Sequence, residues 1–149
     1  MTTETRKKIV PLVNSGTVGP LGVAHLPRLW LKLSLAAAGA LPEGYDECGT
    51  GFDAMTLDAL GLDRAKTMEY VRTAKPSYMT FEKWVVTNGK IDRATIALHN
   101  AAVRGYNHSE DLGRSMRAAS RIEDETVKDA VMLNTIEDLD ELHRELSTA

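Results

Sequence analysis

Residues 41–53, LPEGYDECGTGFD, hold the densest set of chemically capable side chains in the sequence. Tyr45, Asp46, Glu47, Cys48 and Asp53 fall within nine positions, and Gly44, Gly49 and Gly51 leave the backbone between them free to fold around a pocket. A carboxyl set against an apolar wall has a raised pKa and can work as a general acid or base. Asp46 and Asp53 are therefore the candidate proton-handling groups, with Tyr45 lining the same pocket. Cys48 is a candidate catalytic thiol, although neighbouring carboxylates disfavour the thiolate. The plainer alternatives are a small buried hydrophobe for Cys48 and a helix cap for Asp53.

A second group sits at a helix entry, in His25-Leu-Pro-Arg28. The planar fork of Arg28 suits a carboxylate or phosphate, so Arg28 and His25 are expected to bind the anionic end of a small metabolite. Otherwise Arg28 pairs with a nearby acid and His25 is a hydrogen-bonded structural residue. His108 precedes a helix start at Ser109, where free N–H groups attract a carboxylate; Glu110 and Asp111 work against that. Trp84 can stack a ligand, and Trp30 with it, although Leu and Val neighbours fit both to the core.

Other chemistry finds little support. The four histidines, His25, His99, His108 and His143, include no pair four residues apart, and with a single cysteine there is no CxxC, so no metal site is expected. The phosphate-binding loop, the dinucleotide GxGxxG and the GxSxG nucleophile elbow are all missing, and no cofactor is implied. A net charge of -3 with scattered Lys and Arg argues against nucleic acid, whose nonspecific binding needs clustered cations. The one short basic run, Arg6-Lys7-Lys8, reads as a solvated terminus. The longest apolar stretch, residues 29–41, is broken by Lys32 and Ser34 and falls short of the roughly 20 residues a bilayer requires. A polar start without a signal-peptide core, together with a lone cysteine, points to the cytoplasm.

The elements that must carry these groups are helices. Aromatics are only 5% of the 149 residues and no segment alternates apolar and polar positions, whereas helix start and stop residues recur in order. The first helix opens at Pro27 and runs to residue 41, with Arg28 and Lys32 on one polar stripe. A short helix follows, capped by Asp53, stapled by Phe52 and Leu57, and stopped by Gly61. Asp63 caps the next, with Ala65, Met68 and Val71 inward. Thr80 caps a helix ended by Gly89, Asp92 one ended by Gly105, and Ser109 opens another. The tail reads as two short helices, the second capped by Thr135 with Leu139, Leu142 and Leu146 inward. The expected fold is all-α: one orthogonal bundle of about seven short helices over residues 1–149.

The run Gly22-Val-Ala-His-Leu-Pro-Arg-Leu-Trp-Leu-Lys, then Tyr45-Asp-Glu-Cys48, Phe52-Asp53, Leu60-Gly-Leu-Asp63, and Trp84 ahead of Asn88-Gly89 resembles the small bacterial proteins grouped as domain of unknown function 5069. The likeness covers roughly residues 18–90, leaving 91–149 as a helical extension. It implies a shared polar cluster at Pro27, Arg28, Tyr45, Cys48, Asp53 and Trp84, and no particular reaction. Asp46 stands where that pattern has a His, and the Cys-to-Asp spacing is longer through Gly49-Thr50-Gly51.

Two functional classes follow. One is a small-molecule binder or cofactor-independent enzyme, with Arg28 anchoring an anion and Asp46 or Asp53 moving protons. The other is a homo-oligomeric or accessory module, suggested by the apolar 26–41 helix and an amphipathic tail.

Overall fold

The computed structural model describes residues 7–148. Among these, seven helices carry the fold: α1 (Leu26–Ala37), α2 (Phe52–Ala59), α3 (Arg64–Ala74), α4 (Tyr78–Asn88), α5 (Arg93–Arg104), α6 (Glu110–Ala119) and α7 (Ala130–Ser147). The architecture is all-α; an isolated antiparallel bridge between Asn107 and Asp129 is the one β-type pairing among the described residues. None of these helices is long and apolar enough to cross a membrane. Of the basic run near the start, Arg6 lies outside the described residues; Lys7 is exposed and the Lys8 ammonium donates to Gly39 O at 3.2 Å.

Five helices start the same way. The side chains of Asp63, Ser77, Asp92, Ser109 and Asp129 each accept the N–H of the third residue onward, satisfying one of the unpaired donors of a first turn. Three starts were expected from sequence, at Asp63, Asp92 and Ser109. The α4 cap is Ser77, three residues ahead of the expected Thr80, which lies inside the helix.

Other boundaries also move. α1 stops at Ala37, because Gly39 takes a left-handed φ of 69° and the N–H groups of Gly39 and Ala40 turn back onto Ala36 O and Leu35 O. The apolar run to residue 41 conceals that stop. The tail is one continuous helix, α7: the Thr135 hydroxyl donates to Val131 O at 2.7 Å within it and caps nothing. Its buried residues are Ala130, Leu133 and Asp138, whereas Leu139 and Leu146 are exposed. In α3, Thr67 and Val71 are buried and Ala65 is exposed. Gly89 closes α4 through close approach: a Cβ there would lie 2.6 Å from Leu60 O and 2.8 Å from Val85 O.

α1 lies at the centre, packing on α3 and α4, while α2 packs on α5 and α6 on α7. Leu26, Leu29 and Leu33 of α1 meet Leu57, Leu60, Val71, Phe81, Val85 and Ile96 in one buried cluster. Burial of each such side chain contributes roughly 1.5–3 kcal/mol.

Residues 7–25, ahead of α1, form no helix, so their polar backbone must be satisfied from elsewhere. Side chains do this. Arg28 reaches Pro11 O and Val13 O, Glu82 accepts from Leu21 N, Arg93 donates to Leu21 O, and Asn100 bonds both Gly22 O and Ala24 N. This irregular strap is thereby held over the N-terminal end of α1.

Candidate functional site

The site grows from the start of α1. His25 precedes the helix with φ 73° and ψ -19°, a left-handed conformation uncommon outside glycine. It is held there by α5: Asn100 Oδ1 accepts Ala24 N at 2.8 Å, Asn100 Nδ2 donates to Gly22 O at 2.7 Å, and His99 Nε2 donates to Ala24 O at 2.9 Å. A backbone kept in so sparsely populated a region must be over-determined by its surroundings, and such strain clusters at functional sites. The consequence is directional. The buried imidazole is aimed between the strap and α2.

Asp53, from the first turn of α2, meets it. Asp53 Oδ1 lies 2.5 Å from His25 Nε2; Oδ2 accepts Lys32 Nζ at 2.5 Å and Gly49 N at 2.6 Å. The expected cap role for Asp53 is therefore corrected: Gly51 occupies the cap position, and α2 receives no side-chain cap. Its side chain faces His25 and Lys32, with only 3% of the residue exposed. Burial alone would raise the Asp53 pKa. The His25 hydrogen bond and the Lys32 ammonium outweigh it and hold the carboxyl well below the usual carboxylate range.

Burial pushes His25 the other way, below its ordinary 6.5; Lys32 and Arg28 add to that effect, and the Asp53 bond only partly offsets it. The imidazole is thus neutral near pH 7. An ionised carboxylate can only accept, so Nε2 carries the ring proton and Nδ1 is left as an acceptor. Ser15 Oγ lies 2.8 Å from Nδ1, and its hydroxyl donates to it. Ser15, His25 and Asp53 thus form one hydrogen-bonded serine–imidazole–carboxylate chain, and Lys32 pairs with the far oxygen of Asp53.

Arg28, one turn from Lys32, has a different task. Its Nη1 donates to Pro11 O at 2.7 Å, Val13 O at 2.9 Å and Asp138 Oδ2 at 2.7 Å, and Nη2 donates to Asp138 Oδ1 at 3.1 Å. The Tyr45 hydroxyl also donates to Asp138 Oδ1, at 2.8 Å. Burial and this bond to a carboxylate push the phenol pKa upward. Arg28 therefore ties strap, loop and α7 together through a closed fork, the acid-pairing alternative to an anion clamp.

These groups line one cavity of about 280 Å³. Ser15, His25, Lys32, Asp53, residues 49–52, and Asn134 and Glu137 of α7 line it. Arg28, Tyr45 and Asp46 share the lining; Asp46 is itself exposed, and its carbonyl accepts from Lys32 Nζ at 3.1 Å. In formal charge, Arg28 and Lys32 stand against Asp46, Asp53 and Glu137. That balance does not draw anions in.

The remaining candidates lie outside this lining. Cys48 is buried within the apolar cluster, where desolvation and the Asp53 charge push its thiol pKa up; Arg64 holds its carbonyl. Trp84 stacks on Tyr70 with ring centres 4.5 Å apart, against the core. His108 bonds Asn134 Oδ1 at 3.0 Å and lines a separate hollow beside α6. The residues that sequence reasoning did not place in the site are Ser15, Lys32, Asn134, Glu137 and Asp138. Ser15 opens the long non-helical segment ahead of Pro27, and Lys32 is the one charge inside an apolar run, so both had a signal. Asp138 had none, since its partner is 110 positions away.

Among the described residues, no group of three or more His, Cys, Asp or Glu stands together as a candidate metal site. Compared with known proteins, the chain matches no family model and shows no significant similarity to a curated protein.

Proposed function

We propose that the chain binds a small polar molecule in the cleft between strap, α1, the 44–51 loop, the start of α2 and α7, and acts on it by acid–base catalysis with His25 as the proton carrier. One observation carries this reading: a buried imidazole whose Nε2 is fixed by Asp53 at 2.5 Å and whose Nδ1 meets Ser15, on the cavity lining, at 2.8 Å. A base of that kind contributes typically 10²–10⁴-fold to a rate. Asp53 orients and Lys32 keeps Asp53 ionised; neither is itself the base. The closed Arg28 fork and the excess of carboxylates favour an uncharged polar ligand over the anionic metabolite expected from sequence. The meeting of Arg28, Tyr45 and Asp53 at the cleft supports treating the likeness to the domain of unknown function 5069 proteins as a shared polar cluster.

The test is a histidine-labelled ¹⁵N spectrum recorded against a library of small neutral carbonyl compounds. Binders should move the His25 ring signals and leave those of exposed His143 in place. Binders that move other histidines only, or none that move His25, would overturn the proposal.

A second reading draws on α7. Met132, Leu139 and Leu146 recur every seven residues and are 50%, 48% and 68% exposed, a stripe suited to self-association. Light scattering should then give a multiple of the 16.3 kDa chain mass, reverting to one chain in Leu139→Lys/Leu146→Lys. A monomer at all concentrations removes this reading.

A further inference from the structure

We propose that Ser15 is a nucleophile and that the cleft takes an acyl compound with a good leaving group, an ester or thioester, which passes through an acyl-Ser15 intermediate. This inference rests on the acid–base reading of the cleft and goes beyond it by naming the attacking atom and the substrate class. Ser15 is 2% exposed, yet it lines the cavity and its hydroxyl points at the free nitrogen of a neutral imidazole. That pairing of hydroxyl, base and orienting carboxylate is the arrangement that activates an otherwise weak alcohol.

The other nucleophilic side chains near the cleft are disposed differently. Lys32 is held on Asp53, Tyr45 donates to Asp138, and Cys48 is packed into the apolar cluster. Thr50 lines the cavity but has no contact with the base. Of these, Ser15 is the one whose proton faces an imidazole nitrogen, at 2.8 Å.

The step balances without a further reagent. As Ser15 Oγ bonds to the acyl carbon, its proton passes to His25 Nδ1 and the carbonyl pair moves onto oxygen. Collapse breaks the bond from carbon to the leaving group, which departs with the proton from Nδ1. Water then adds to the acyl carbon, giving its proton to Nδ1, and Ser15 leaves with that proton. The net change is hydrolysis to an acid and an alcohol or thiol. Asp53 Oδ1, 2.5 Å from Nε2, stabilises the imidazolium formed midway. Ser15 lies on a turn of the strap. Asn14 shapes that turn, its carbonyl accepting Thr17 N and its Oδ1 accepting Gly16 N.

The experiment treats the full chain with diisopropyl fluorophosphate, and separately with p-nitrophenyl acetate and a matching acetyl thioester, followed by intact mass and peptide mapping. One adduct is expected, on Ser15 and not on Thr17. Ser15→Ala should abolish it, and His25→Gln should slow it at least about 100-fold, the lower end for loss of a general base. Ser15→Cys should be acetylated in place of the serine, which guards against a variant that merely misfolds; circular dichroism checks each fold. The ester and thioester rates decide which acyl source is preferred. An adduct elsewhere, or equal labelling in His25→Gln, overturns the inference. If the wild type stays unlabelled while cleft binders still move the His25 signals, the nucleophile fails and the acid–base reading stands. If neither occurs, both fail.

Discussion

Asp53→Asn is the substitution on which the site stands or falls. The wild-type carboxylate accepts from three donors, His25 Nε2, Lys32 Nζ and Gly49 N, with the Lys32 and Asp53 side chains only 10% and 3% exposed. An amide keeps one acceptor oxygen and turns an N–H toward at least one of those donors. The Lys32 ammonium is then buried without a counter-charge. Removing one partner of a buried pair costs about 3–5 kcal/mol. At roughly 2–4 °C per kcal/mol for chains of about this size, the melting midpoint should fall by roughly 6–20 °C. Urea unfolding followed by far-UV circular dichroism at pH 7 measures the loss, with the denaturant slope unchanged if both states keep their surface. Asp53→Asn/Lys32→Met should recover about 1–3 kcal/mol of it, the size of coupling expected for residues in contact. A single-variant loss below about 1 kcal/mol, or a double variant no better than the single, would refute the claim that these charges depend on each other.

Three further outcomes follow from the same geometry. His25 and Asp53 both have folded-state pKa values below their unfolded ones, so on acidification the unfolded chain takes up protons first. The His25 contribution is complete above about 6.5 and declines as pH falls toward its folded value, while that of Asp53 declines only below about 3.9. His25→Gln should therefore flatten the urea-midpoint slope just below pH 6.5, and an unchanged slope there would contradict the assignment. Arg28→Lys loses the bidentate hold on Asp138 and one or both bonds to Pro11 O and Val13 O. It should cost about 2–4 kcal/mol and speed proteolysis ahead of α1, since hydrogen bonds to charged groups contribute about 1.5–3 kcal/mol each. Gly89→Ala drives a methyl against Leu60 O and Val85 O and should cost about 1–3 kcal/mol in the same urea assay, against near-neutrality if the turn can relax.

How much of this was legible depended on the range of the interaction. Caps at Asp63, Asp92 and Ser109 act over three residues and could be read directly, as could the Gly61 stop. The α1 end could not, because Ala36, Ala37 and Ala38 continue a helical pattern that only the backbone of Gly39 breaks. Thr135 misled for a related reason: capping-box spacing also occurs inside helices, where the hydroxyl bonds back to the preceding turn. Within the site, the polar stripe of Arg28 and Lys32 was visible as a four-residue repeat, and Asp53 stood out as an acid beside an apolar helix. What each of them touches was not visible. Asp53 finds His25 across 28 positions, Tyr45 finds Asp138 across 93 and Arg28 finds Asp138 across 110, and no local pattern records a pairing made by packing. Trp84 shows the converse, a residue attractive by type whose neighbours are Tyr70 and Phe81.

The form of the polar network bears on why it exists. A buried ion pair is seldom more stabilising than well-packed apolar side chains of the same volume, so Lys32 and Asp53 are not an economical way to join α1 to α2. Neither is a left-handed His25 an economical way to start a helix, since five other helices here begin with an Asp or Ser cap in extended or near-extended backbone. What the pair and the strain achieve together is direction. The pair fixes an ionised carboxylate, the carboxylate fixes the proton on Nε2, and the held backbone points the vacant Nδ1 at a hydroxyl on the cavity wall. Stability alone requires none of these three alignments, whereas proton transfer at Ser15 requires all of them.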